Sequence, residues 1–359
     1  MLLLLCICII VPVSCSKNQE TSESGKGAFD IKAASNVVEA YMKAVEEGNM
    51  EGVKKFYSKN LLKNFVDKEN PEFKIMGYNI LETSKVGDTG LFKIRVSRSS
   101  TATSRAALDE YVVKVIKEGF EYKVDDTKSN PIKEAFPINS QIRLKSKNNV
   151  NTSLVFDVNS IPSYTFAKED KAHMDKLPVP KYNFGSMTFS YDGNKLAIST
   201  IAADTGFFAG FVKIDESIEV QGSDDTSEKK GGNGNGGMGG QNGNVKEKPV
   251  GKELIVLDVI KEGKPEMMIF SQDEKYIALQ YGKTAADKLL RVYKVNNGDL
   301  LDYNFEKNFP VDKVNISYSF FDKDNLYFIV APKNSSGQDL KDYIGKWQLD
   351  LKELKAKKV

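Results

Sequence analysis

Residues 189–198 read FSYDGNKLAI, and the same frame returns as FSQDEKYIAL at 270–279 and SFFDKDNLYF at 319–328. Each copy has an Asp at its fourth position (Asp192, Asp273, Asp322) and an aliphatic residue at its eighth (Leu196, Ile277, Leu326). An Asp so placed accepts backbone N–H groups of a tight turn, and the flanking apolar alternation suits strands with a buried face. A second apolar run follows each copy, ELIVLDV at 253–259, LLRVYKV at 289–295 and IGKWQLDL at 344–351, and these three are expected to be equivalent strands. The last two copies start 49 residues apart and the first two 81 apart, but the longer interval contains a polar, glycine-rich insert of 30 residues at 221–250, which leaves a period of 51. A period near 50 marks blade-type repeats.

The repeated text resembles the blade signature of TolB-like and WD-type β-propellers, in which FSxDGxxLA forms the turn between the first two strands of a blade. The resemblance implies an all-β, propeller-like domain of three to four blades at 181–359. A connector at 131–180 precedes it, with SLVFDV at 153–158 as the closing strand of a leading blade. The second and third copies depart from the signature, with Glu274 and Lys323 in place of the glycine. An open fan of so few sheets would have an edge that the N-terminal unit or a partner must cover.

Residues 29–130 read as a separate α+β unit. Asp30 can cap a helix whose apolar positions Val37, Val38, Tyr41, Met42 and Val45 recur at three and four, and Gly48 suits its end. Asn49 caps again, and Val53, Phe56, Tyr57, Leu61, Leu62 and Phe65 continue a helical stripe. After Asn70 and Pro71 the pattern changes to four strand-like runs, 73–83, 90–99, 108–119 and 120–126, separated by turns at 87–90 and 117–119. The text AASNVVEAYMKAVEEGNMEGVKKFYS at 33–58 resembles the opening of the nuclear transport factor 2-like fold in bacterial lipoprotein-associated members. That resemblance implies two helices on a curved antiparallel sheet shaped as a cone around a pocket. Tyr41, Tyr57, Tyr78 and Tyr111 are the candidate lining residues. No catalytic residue carries over, since the segment has no histidine and Asp88, Asp109, Asp125 and Asp126 are expected in turns or at strand edges.

Residues 2–13, LLLLCICIIVPV, form an uncharged apolar run of twelve. About 20 residues are needed to span a bilayer as a helix, so the run matches the core of a signal peptide better than a permanent span. With Ser14 and Cys15 after it, the segment resembles a bacterial lipoprotein signal, although Pro12 stands where that pattern has leucine and no basic residue precedes the run. The resemblance implies cleavage after residue 14, diacylglycerol on Cys15, a flexible tether over 15–28, and anchoring to the outer face of the cell membrane. The three cysteines all fall within the first fifteen positions, so the mature chain would have no disulfide framework.

Lys+Arg 51 against Asp+Glu 49 gives a net charge of +2, and no nucleic-acid partner is expected. His173, the one histidine, lies in a polar connector, and neither a metal nor a cofactor is expected. Gly234, Gly236 and Gly239 match G-x-G-x-x-G by spacing, but no strand or helix start adjoins them and the segment reads as a loop. The basic tail with Lys352, Lys355, Lys357 and Lys358 reads as a solvated helical end. These features favour a lipid-anchored binding or scaffolding protein whose ligand is an envelope protein, peptide or wall polymer. The alternatives are a pocket enzyme or small-molecule carrier using the cone, and a sensor domain.

Overall fold

The computed structural model of the chain describes residues 28–65, 72–100, 102–202, 206–217, 247–333 and 340–359. The leader, Cys15, the tether up to residue 27 and most of the glycine-rich insert lie outside the described residues. The insert's last four positions lie inside them. Glu247 pairs with Arg143 and Val250 is buried, so the described chain resumes before the expected end of the insert at 250.

Asp30 accepts the Lys32 N–H at 2.9 Å and starts α1, Ile31–Glu46, which buries Ala34, Val38, Tyr41 and Met42. Asn49 caps α2, Met50–Lys54. The helical stripe expected to continue to Phe65 is interrupted. Val124 donates to Phe56 O and accepts from Ser58 N–H, both at 2.8 Å, so Tyr57 joins a sheet edge. Ser58 then caps a separate α3, Lys59–Asn64.

Strands β1 (Lys74–Val86), β2 (Thr89–Ser100), β3 (Arg105–Glu118), β4 (Glu121–Ile138), β5 (Gln141–Ser146) and β6 (Ser153–Asp157) form one six-stranded antiparallel sheet in chain order. Two expectations are corrected here. The boundary at 130/131 falls inside the continuous β4, and the run at 153–158 supplies the outer strand of this sheet, paired to β5, instead of closing a blade. The helices cover one face of the sheet through Phe92, Ile94, Val113 and Val115. The opposite face carries Leu108, Ile142 and Leu144 toward the repeats.

A short pair, β7 (Tyr164–Thr165) and β8 (Leu177–Pro178), brackets the connector that holds His173. Three antiparallel sheets follow. The first contains β9 (Asn183–Phe189), β10 (Lys195–Ile201), β11 (Phe207–Ile214) and β12 (Gly251–Ile260). The second contains β13 (Lys264–Phe270), β14 (Tyr276–Gly282) and β15 (Leu289–Lys294), and it is followed by a short helix, α4, Phe305–Asn308. The third contains β16 (Val314–Phe321), β17 (Asn325–Pro332), β18 (Gly345–Asp350) and β19 (Ala356–Lys358). The basic tail is therefore a strand paired to β18, not a helical end.

Each repeat is the turn between the first two strands of its sheet, as the spacing predicts. The third copy is shorter than the ungapped alignment implies. Phe189 faces Leu196 and Phe270 faces Ile277, whereas Phe321 faces Leu326. Measured from these paired phenylalanines, the second and third turns lie 51 positions apart. The run at 253–259 is also reassigned. After each turn the third strand returns a hydrogen bond to the turn's sixth position: Ile214 N to Asn194 O at 2.8 Å, Val295 N to Lys275 O at 2.8 Å and Leu351 N to Asp324 O at 3.0 Å. In the first sheet that partner is β11, so the 253–259 run in β12 is an added fourth strand. The missing glycine of the second copy is tolerated because Glu274 adopts φ 55° where Gly193 has 72°. Its carboxylate offsets the strain by accepting from Asp192 N–H and pairing with Lys195 on the neighbouring turn.

The sheets stack as a fan. Phe207, Phe211 and Leu257 of the first pack on Phe270, Leu279 and Tyr293 of the second. Ile269 and Val292 of the second join Ile316, Phe328 and Leu349 of the third. The six-stranded sheet closes the other end, laying Leu108, Ile142 and Leu144 on Met187, Phe189 and Phe208. Its side chains also cover the inner edge: Ser97 Oγ donates to Phe189 O and Ser104 Oγ donates to Phe184 O, each at 2.8 Å.

A buried ion network ties the first two sheets of the fan together. Asp258 of β12, fully buried, accepts from Arg291 of β15 and from the Tyr293 hydroxyl, both at 2.8 Å. Removing one partner of such a pair leaves an uncompensated charge. Arg291→Met is expected to lower unfolding free energy by about 3–5 kcal/mol, and adding Asp258→Asn to regain over half of that loss. Urea denaturation of the single and double variants measures both.

Candidate functional site

The seam between α1, β1 and the repeat turns contains a cavity of about 390 Å³. Helical spacing places Glu39, Lys43 and Glu46 on one side of α1, while Val38, Tyr41 and Met42 anchor the other side in the core. From β1 come Gly77, Tyr78 and Asn79. Each repeat turn adds a side chain, Tyr191, Gln272 and Phe321, and the third sheet adds Tyr318, Phe320 and Asp322.

The two sides are bonded to each other. Asn79 Nδ2 donates to Gln272 O at 3.2 Å. Tyr191 is buried, and its hydroxyl donates to Phe270 O at 3.1 Å. Tyr78 donates to Glu39 O at 3.3 Å, and the Tyr318 hydroxyl accepts from Phe321 N–H at 3.1 Å. Gly77 permits this approach, because a Cβ there would collide with the Tyr191 hydroxyl.

Glu46 is half-buried at the rim of the cavity. Burial, and after it the charge of Glu47, pushes its carboxyl up to about 8 against the pull of Lys43. Tyr78, Tyr191 and Tyr318 are each held above the ordinary phenol range, first by burial and next by the Glu46 charge. The site is thus a polar, aromatic cleft in which burial favours the neutral form of the Glu46 carboxyl.

Of the four tyrosines expected to line a pocket, Tyr78 alone reaches this cleft. Tyr41 and Tyr57 are buried in the core of the first unit with ring centroids 6.0 Å apart, and Tyr111 packs against that core. Asp109 also departs from expectation. It lies within β3 rather than at a turn, is 1% exposed, and pairs with Arg98 at 2.5 Å; burial raises its carboxyl above the ordinary value. Glu39, Lys43, Glu46, Tyr191 and Tyr318 were not read as site residues from sequence. The i, i+4, i+7 spacing of the three α1 residues was the available signal. His173 sits away from the cleft, its ring stacked on Phe166 at 4.7 Å. Among the described residues no group of three or more His, Cys, Asp or Glu is placed to hold a metal, and no helix is long and apolar enough to cross a membrane.

No family model matches this chain, and no curated protein matches it. Among solved structures the chain is similar to an acylaminoacyl peptidase of Pyrococcus horikoshii, with 10% identity and a TM-score of 0.23, over 84% of this chain and 47% of that one. The chain spans about half the length of that enzyme, and a likeness at that score decides neither fold nor chemistry.

Two outcomes test the site. Gly77→Ala is expected to lower the unfolding midpoint by several degrees, and Tyr191→Phe in the same chain to restore part of the loss; thermal unfolding reads both. For Glu46, the raised carboxyl favours the folded state fully below about pH 4.5. That contribution is lost as pH rises through about 8, because the folded chain must then hold a charge that the unfolded chain hydrates. Glu46→Gln should therefore leave the midpoint at about pH 4 unchanged and raise it at about pH 9. A pair of melting curves for each chain checks the sign.

Proposed function

We propose that this protein is exported, is fastened to the outer face of the membrane by diacylglycerol on Cys15, and binds an envelope ligand in the cleft between its first unit and its repeat fan. The observation that carries this reading is the convergence of α1, β1 and all three repeat turns on one cavity. A cleft at the seam of two packed units, aromatic with a few convergent polar groups, is a common place for a ligand. The lipoprotein-like text at 2–15 supplies the location, and two acyl chains make such an anchor durable.

In this reading the first unit is a nuclear transport factor 2-like module used for packing. Val38, Tyr41, Met42, Phe92, Ile94 and Val113 fill the space between its helices and its sheet. That packing disfavours the carrier or enzyme reading based on a pocket inside the cone. The fan is read as a propeller-like scaffold that presents its turns.

The test places a photo-crosslinking amino acid at Asn79, in the cleft, or at Phe120, which is 97% exposed on the β3–β4 turn. The full chain is expressed in its native envelope. A discrete adduct from position 79 and none from 120, together with a diacylated N-terminal peptide by mass spectrometry, is the expected result. Equal labelling from both positions, or an unmodified Cys15 in the soluble fraction, contradicts the proposal.

A further inference from the structure

The cleft already holds one cation. The Lys43 ammonium lies 4.2 Å from the centroid of the Phe320 ring, and Phe320 is stacked on Tyr327 at 4.2 Å with the rings 9° from parallel. An ammonium over a ring face is attracted by the ring quadrupole, most strongly where water is excluded. Among the described residues Lys43 makes no ion pair, although Glu39, Glu46 and Asp322 line the same cavity. The site thus has three carboxyl groups, one ammonium and an aromatic platform occupied by the protein's own side chain.

Resting on the cleft as the ligand site, we propose that its ligand is the lysine side chain of an extended peptide, and that Lys43 fills the ammonium seat when the peptide is absent. The chemistry selects this class. An anion would meet the carboxylates of Glu39 and Asp322 with a single compensating cation, and a quaternary ammonium has no N–H to give a carboxylate. A primary ammonium on an unbranched stem uses both parts of the site. The stem lies along Phe320 and Phe321, and the head donates to the carboxylates of Glu39 and Asp322 and to the carbonyl oxygen of the Glu46 carboxyl. The Gln272 side-chain amide, half-buried at the rim, is placed to pair with a peptide group of the incoming chain.

Lys43 is then a resident competitor. It belongs to the exposed side of α1, so its replacement leaves the core contacts of the helix in place. A site whose seat is mostly filled from within binds an outside cation more weakly by the fraction left open. Removing the internal cation while keeping an apolar stem should raise affinity, the opposite of what loss of a binding residue would do.

The experiment titrates the full chain, as wild type, Lys43→Met and Phe320→Ala, with three capped tripeptides of sequence Gly-Lys-Gly, Gly-Gln-Gly and Gly-Glu-Gly, and with cadaverine. Tyrosine ring resonances report the cleft, and Phe120 reports non-specific contact. Lys43→Met is expected to bind the lysine peptide roughly tenfold more tightly than wild type, and Phe320→Ala to lose binding. No gain with Lys43→Met, or equal binding of the glutamine peptide, overturns the lysine assignment while leaving the cleft as the binding site. Binding of cadaverine without the peptide overturns the peptide source. Resonances of Tyr78 and Tyr318 that respond to the glutamate peptide alone overturn the cation reading and retain the cleft. Silence of those resonances to all four probes contradicts the inference, while the envelope crosslinking at position 79 decides the cleft reading separately.

Discussion

The edge of β9 sets the terms for the rest of this molecule. A fan of three sheets leaves the first inner strand with unpaired carbonyl groups, and an exposed strand edge invites association with other chains. Here hydroxyls of the first unit meet that edge, Ser97 on Phe189 O and Ser104 on Phe184 O. The Lys133 ammonium adds a bond to Gly193 O at 2.8 Å in the first repeat turn. The apolar faces behind them, Leu108 and Leu144 against Met187 and Phe189, then join the sheet and the fan in one core. With no cysteine beyond Cys15, this packing has no crosslink to help it.

The position of the cleft follows from that arrangement. Laying β2 and β3 over β9 brings β1 across the neighbouring turns, where Asn79 reaches Gln272 and Gly77 lets Tyr191 come close. α1 is fixed to the same sheet by Val38, Tyr41 and Met42, so its polar side faces the gap that remains. Glu46 is held in that gap among aromatic groups. Its proton affinity comes first from burial in the seam and next from the charge of Glu47 at the helix end.

Local rules made much of the architecture readable. Asp30 and Asn49 announce helix starts because short acceptors satisfy orphan N–H groups within a few residues. The repeat turns are legible because Asp192, Asp273 and Asp322 each act within their own turn. What the sequence hides is non-local. The break at Tyr57 depends on Val124, the sheet edge formed by 153–157 depends on β5, and the strand at 356–358 depends on β18. The equivalence of β11 with β15 and β18 shows only in the hydrogen bonds that Ile214, Val295 and Leu351 return to their turns. The cleft was hardest to anticipate. Its residues come from 39–46, 77–80, 191, 272 and 318–322, and no local pattern states that these segments meet. Tyr41, Tyr57 and Tyr111 looked equivalent to Tyr78, but the face of the sheet or helix each occupies decides between core and seam.

If the covered edge makes the first unit and the fan a single cooperative body, their backbones must open together. Native-state hydrogen exchange of the full chain, followed in increasing denaturant, measures this directly. The account predicts that the slowest amides of β2, β3, β9 and β10 converge on one opening free energy. Exchange of β2 and β3 through an opening several kcal/mol below that of β9 and β10, with the fan still protected, would show two independent domains and contradict it.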